Sequence, residues 1–247
     1  MKKNFKILAF LALLPVTCTT GAFAQDAGEI LRTADEITYA PKDQEATTII
    51  TLTDKNGNKS VRKAEMKQKG KNLRLTRFTE PASQAGISFL SLPDDVMYIY
   101  LPAFGRERRI ASHVKNQSFA GTDFSYEDME AVPYSDKFDP LLLETTADRF
   151  ILELTPKPGI RSDYGKLVMQ IDRNLSLPVG IEFYNRGNQL AKRMDIEYEE
   201  VQGYLTQKRI TMNDLNRNHS TVMEIEKIRF DNDLIDSEFT IRELKKL

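Results

Sequence analysis

Apolar and polar residues alternate with a period of two many times along this chain, and each stretch of alternation ends at turn residues. Successive side chains of a strand point to opposite faces, so the pattern demands antiparallel sheet with one oily and one wet face. Thr48, Ile50 and Leu52 share a face, and Lys55-Asn56-Gly57-Asn58 follows as a hairpin turn whose Asn-Gly pair accepts positive φ. Ala64 and Met66 oppose Lys63, Glu65 and Lys67, and Leu73 and Leu75 open a third strand. Phe150, Leu152 and Leu154 alternate with Ile151 and Glu153; Leu167, Met169 and Ile171 with Lys166 and Gln170; Val179, Ile181 and Phe183 with Gly180 and Glu182. Beyond Asn185-Arg186-Gly187-Asn188, Met194, Ile196 and Tyr198 alternate with Arg193, Asp195 and Glu197. Roughly ten such strands must hide their oily face by stacking on a second sheet, by closing into a barrel, or by curving around something.

Helical pattern is sparse and favours the last of these, because short helices can cover one face of a curved sheet. Ala27 to Ala34 carries Ile30 and Leu31 among polar neighbours. A second candidate lies between His113 and Ala131, where Phe119, Phe124, Tyr126 and Met129 interrupt the strand rhythm around Gly121. Ser237 to Leu244 reads as a final strand or a turn of helix. Val96 to Pro102 is apolar on both faces, so it is either covered from two sides or lines a pocket with one of them. No repeat or linker divides residues 25–247, which read as one domain.

The first 24 residues differ from the rest. Lys2, Lys3 and Lys6 precede an apolar run, Ile7 to Val16, that is too short for a bilayer, and Ala22-Phe23-Ala24 fits the small-x-small cleavage rule. The segment reads as a secretory signal peptide cut before Gln25. Cys18, the only cysteine, raises lipidation, but Pro15-Val16-Thr17 matches a lipoprotein site poorly. A formal net charge of −1 supplies no strong basic field, which argues against a nucleic-acid partner.

Residues that carry chemistry are few. His113 and His219 stand alone, without metal-ligand spacing, and there is no Gly-x-Ser-x-Gly elbow, phosphate loop or dinucleotide fingerprint. The acidic pairs Asp94-Asp95, Glu127-Asp128 and Glu199-Glu200 read as turns or solvated edges. Arg106-Glu107-Arg108-Arg109 reads as a solvated strand after the Pro102-Ala103-Phe104-Gly105 turn, or as a seat for an anionic head group. The expectation is a protein without enzymatic activity, cofactor or metal.

The order of features resembles the LolA-like outer-membrane lipoprotein-sorting proteins. The resemblance is carried by Asn72-Leu73-Arg74-Leu75-Thr76-Arg77-Phe78-Thr79-Glu80-Pro81, Gly86-Ile87-Ser88-Phe89-Leu90, Met97-Tyr98-Ile99-Tyr100-Leu101-Pro102, Arg108-Arg109-Ile110 and the Leu177-Pro178 hairpin. Its most specific part is Ser118-Phe119-Ala120-Gly121-Thr122-Asp123-Phe124-Ser125-Tyr126-Glu127-Asp128-Met129. What it implies is a mainly β (α+β) fold, a half-open antiparallel β-barrel of about eleven strands with short helices forming a lid over a hydrophobic cavity. It further implies a bacterial periplasmic carrier that takes lipoprotein acyl chains, or another lipid, from an inner-membrane transporter to an outer-membrane acceptor. The alternative is an accessory lipid-binding or structural subunit of an exporter of the resistance-nodulation-division class. A lipid-modifying enzyme would instead gather Ser112, His113 or the acidic pairs at the cavity.

Strand parity nominates Ile50, Leu52, Met66, Leu73, Leu75, Phe89, Met97, Ile99, Phe150, Leu152, Met169, Ile181 and Phe183 as cavity lining, with Phe119, Phe124 and Met129 from the lid. The arginine that latches the lid in the classical carriers has three counterparts to choose from, Arg62, Arg74 and Arg77. A carrier of this kind is physically sensible. Each methylene exposed to water costs ~0.8 kcal/mol, so an acyl chain of about sixteen carbons faces on the order of 12 kcal/mol when it crosses an aqueous space alone.

Overall fold

Alternation becomes one continuous sheet of thirteen strands in the computed structural model, which describes residues 26–246. The expected signal peptide, its expected cleavage point and Cys18 lie outside the described residues. In chain order the elements are α1 (Ala27–Thr38), β1 (Asp43–Thr53), β2 (Lys59–Lys69), β3 (Leu73–Glu80), β4 (Ser88–Leu92), β5 (Val96–Leu101) and β6 (Arg106–Arg109). After a long connection come α2 (Tyr134–Lys137), β7 (Phe138–Thr145), β8 (Arg149–Pro156), β9 (Tyr164–Asp172), β10 (Leu177–Asn185), β11 (Leu190–Val201), β12 (Tyr204–Asp214), β13 (His219–Phe230) and α3 (Ile241–Leu244). No helix among the described residues is long and apolar enough to cross a membrane.

The count exceeds the expected ten or eleven because some strands hide their period. Near its middle β12 meets a register shift opposite Glu197/Tyr198, and β13 meets another opposite Thr47/Thr48. Each bulge inserts one residue and inverts the parity beyond it. Strand β4 is buried on both sides and β7 is largely exposed, so neither alternates cleanly.

Strand order is β6-β5-β4-β3-β2-β1-β13-β12-β11-β10-β9-β8-β7, antiparallel throughout. Neighbours in the sheet are neighbours in the chain except at β1 and β13, which pair the two ends of the strand set. The edges β6 and β7 are consecutive in sequence, so residues 110–137 must leave one rim of the curved sheet and enter the other. That connection is the lid, and the packing of Phe119, Phe124 and Met129 puts it across the concave face.

The lid is not the helix expected between His113 and Ala131. It holds a 3-10 turn at Ser112–Val114 and then irregular turns. Ala120 and Gly121 adopt left-handed backbone, with φ of 48° and 80°, which ends any helix there. Short polar side chains also take the backbone groups a helix would use: Thr122 Oγ1 donates to the Phe119 carbonyl at 2.7 Å, and Asp128 accepts from the Ser125 amide at 2.7 Å. Helix α1 is capped at Asp26, which accepts from the Gly28 amide at 2.9 Å, and buries Ile30, Leu31 and Ala34 against the sheet.

The segment after β13 is helical rather than a strand, with a 3-10 turn at Asp236–Glu238 followed by α3. It covers the convex face, packing Leu234, Phe239 and Leu244 on Leu75, Leu90 and Tyr100. Strand β5 is therefore covered from both sides, which accounts for its doubly apolar sequence. Arg77 donates to the Glu243 carbonyl and Ser88 to the Leu244 carbonyl. Arg77→Ala removes a charge-assisted bond worth about 1.5–3 kcal/mol. The expected result is faster hydrogen exchange at residues 240–246, with the strands unaffected.

Candidate functional site

A cavity of about 270 Å³ lies between the concave face and the lid. Strands β1 to β3 supply Ile50, Ala64, Met66 and Thr76; strands β11 to β13 supply Ile196, Tyr198, Ile210, Met223 and Ile225; the lid supplies Phe119, Phe124 and Met129. Both apolar cores lean on the same roof. One gathers Leu52, Phe78, Phe89, Met97 and Ile99 around Phe119, and the other gathers Phe150, Leu152, Met169 and Ile181 with α1.

Six of the expected residues line the cavity: Ile50, Met66 and Phe183 from the strands and Phe119, Phe124 and Met129 from the lid. Leu52, Phe89, Met97, Ile99, Phe150, Leu152, Met169 and Ile181 face the same side but are packed solidly in the two cores beside it. Leu73 and Leu75 belong to the convex face, under the C-terminal segment. Parity misleads in β3 because both of its faces are covered, and there the concave positions are Arg74, Thr76 and Phe78. Cavity residues that parity misses include Tyr39, Tyr134 and Tyr164, and the bulged strands bring Ile210 and Met223.

Polar contacts at four points of the lid, Met129, Ala120, Asp123 and Asp128, tie it down. Arg74 Nη1 donates to the Met129 carbonyl at 3.3 Å, while its Nε and Nη2 both donate to Gln68 Oε1, at 2.9 and 2.7 Å. Arg62 donates to the Ala120 carbonyl and lies 5.6 Å from the centre of the Phe78 ring. Of the three candidate latches, Arg62 and Arg74 reach the lid and Arg77 does not. At the lid's tip the Asp123 carboxylate is buried, accepts from Thr221 Oγ1 at 2.6 Å and meets His219 Nδ1 at 2.6 Å. Farther on, Tyr164 donates to Asp128 at 2.9 Å and Lys192 Nζ donates to the same carboxylate at 3.1 Å.

Within the lid itself lies a buried ion network. Glu130 accepts from Lys137 at 2.8 Å and lies 3.5 Å from Lys115, and Glu127 lies 3.6 Å from Lys137. Burial pushes the Lys115 ammonium below the ordinary lysine range. Burial opposes the charge of Lys137 too, but Glu130 and Glu127 outweigh it and hold that group above the range. Burial also raises the phenols of Tyr134, Tyr164 and Tyr198, so these cavity walls stay neutral hydrogen-bonding groups.

The residues an enzyme reading would need do not converge. Ser112 and His113 are exposed on the lid, Asp94 and Asp95 occupy an exposed turn, and Glu199 and Glu200 sit on β11. Glu127 and Asp128 do reach the cavity wall, where each is engaged by a lysine. His219 is a partly buried lid contact rather than a surface residue. Arg106–Arg109 is the solvated edge strand β6. Among the described residues no three or more His, Cys, Asp or Glu are grouped to hold a metal ion.

A family model carrying the description "uncharacterized protein" matches residues 70–246. The chain belongs to this family and has the LolA-like fold. A DUF1329 family protein from Desulfovibrio piger is 26% identical, with a TM-score of 0.83 over 88% of this chain and 97% of that one. A domain from Vibrio parahaemolyticus, named for outer-membrane lipoprotein sorting, is 28% identical, with a TM-score of 0.81 over 89% and 98%. A LolA superfamily protein from Nitrosomonas europaea shares the fold at 22% identity, with a TM-score of 0.73 over 87% and 97%. No curated protein matches the sequence. The half-open barrel and lid implied by the LolA-like resemblance are thus the fold of this chain, with thirteen strands.

Proposed function

We propose that this LolA-like protein is a periplasmic carrier, exported by a signal peptide over residues 1–24, whose single domain over residues 25–247 shields acyl chains of lipoproteins or another lipid. It receives cargo from an inner-membrane transporter and passes it to an outer-membrane acceptor, without enzymatic chemistry or a cofactor. The name of the Vibrio parahaemolyticus relative supports the sorting role. The observation that carries the reading is the apolar cavity under a roof held by side-chain contacts rather than by strand pairing.

Each methylene that leaves water for the 270 Å³ cavity supplies about 0.8 kcal/mol toward loading. Mass spectrometry of gently purified protein, with displacement of a fluorescent fatty acid, tests this. Bound lipid and competitive displacement are expected, and absence of both would sink the carrier.

One feature favours the second reading, an accessory subunit of a resistance-nodulation-division exporter. The edge strand β7 exposes Leu141 and Leu143, at 60% and 50%, beside backbone that pairs on one side only. Co-purification with a membrane partner in the absence of lipid would favour that role.

A further inference from the structure

Charges lining the cavity meet an opposite charge, with two exceptions, the Asp35 carboxylate and the Arg74 guanidinium. Glu127 and Glu130 meet Lys137, and Asp128 meets Lys192. Asp35 accepts two backbone amides, from Tyr134 at 3.1 Å and Ser135 at 2.7 Å. Arg74 has only neutral partners among the described residues, Gln68 and the Met129 carbonyl. A guanidinium drawn partly out of water without an anion is unfavourable, and burial accordingly pulls Arg74 below the usual arginine range. A fold that keeps such a charge facing a ligand cavity has a place for a counter-ion.

The geometry points to its shape. Gln68 Oε1 bridges Nε and Nη2 of Arg74, the edge to which an oxyanion binds in a forked pair. The third bond, to Met129, is the longest at 3.3 Å and the easiest to exchange. Resting on the carrier reading, we propose that the cavity's ligand is a single-tailed amphiphile with an anionic head, a carboxylate or a phosphate, that seats on Arg74 with its tail toward Ile50, Met66 and Met223. The seated head takes the place of Gln68 or of the Met129 carbonyl, and only the second exchange removes a bond that holds the lid.

Calorimetric titration of the full chain near neutral pH, at fixed salt, with decanoate, decyl phosphate and 1-decanol tests this, because the tails match and only the heads differ. The two anions are expected to bind on the order of 10–100-fold more tightly than the alcohol, the size of a buried charge-assisted bond. Whichever anion binds more tightly identifies the head as carboxylate or phosphate. In Arg74→Gln the ratio of anion to alcohol affinity falls to about one, and Arg74→Lys restores part of it. Equal binding of all three by the native protein, or a preference that survives in Arg74→Gln, overturns the assignment while leaving a lipid carrier intact. Failure of all three to bind overturns the assignment together with the carrier reading.

Discussion

Phe119→Ala will free the lid while the sheet stays folded. The Phe119 ring is fully buried, stacked on Phe78 with centroids 5.5 Å apart, edge-on to Phe89 at 5.5 Å and to Tyr126 at 6.1 Å. Truncating a buried phenylalanine costs about 3–5 kcal/mol, and aromatic pairs lie toward the upper part of that range. Phe78 and Phe89 belong to β3 and β4, so most of the lost contact crosses the boundary between lid and sheet. The strand ladders lose nothing. At about 1.4 kcal/mol per factor of ten, the open lid becomes on the order of 10³-fold more populated. Hydrogen exchange over residues 115–130 will accelerate by about that factor, and a fluorescent fatty acid will enter faster. Equal acceleration in β1 to β3 would mean that lid and sheet open as one unit, which the carrier reading cannot accommodate.

Why Phe119 was recognisable as a lid residue while most other lining positions were not follows from what period two encodes. Alternation reports which face of a strand is oily. It does not separate side chains packed against their neighbours, such as Met169 and Leu152, from those that border a void, such as Ile50 and Met66. Voids arise from the distance between lid and sheet, a property of three dimensions. Alternation also assumes that one face is wet, and β3 breaks the assumption: Leu73 and Leu75 are oily because α3 and its flanking turns cover the convex face. The bulges of β12 and β13 removed Ile210 and Met223 from view by inverting parity within a strand. Arg74 was in plain sight as a polar residue between two leucines, but a cation at that position signals a solvated face unless the cavity is already known. The lid was found by a different signal, a run of aromatics that breaks the strand rhythm. Its irregular form was also written there, in Gly121 and the Ser, Thr and Asp side chains that compete for backbone bonds.

Glu130→Ala will loosen the lid's own structure nearly as much as Phe119→Ala loosens its hold on the sheet. Side chains of Glu130 and Lys115 keep only 6% and 5% of their surface, and Glu130 also accepts from Lys137 at 2.8 Å. Removing one member of a buried pair leaves an uncompensated charge, at about 3–5 kcal/mol. Lys115 then retains Asp95, which is half exposed, and Lys137 retains Glu127 at 3.6 Å, so the effect falls toward the lower figure. Lys137→Met alone is destabilising for the reciprocal reason. The double variant will lose less than the two singles combined, with a coupling of about 1–3 kcal/mol. Additive losses would show that the pair does not act as a unit. Alkaline titration of the native protein separates the two lysines. Lys115 is lowered in the fold, so between its folded value and the unfolded lysine value the folded chain holds fewer protons, and this group makes stability rise with pH. Lys137 is raised, so its contribution is complete below the unfolded value and is lost as pH climbs through the folded one. Lid protection, taken relative to the base-catalysed exchange of an unstructured amide at each pH, will therefore rise slightly before it falls, and Lys137→Met will remove the fall that comes from that lysine.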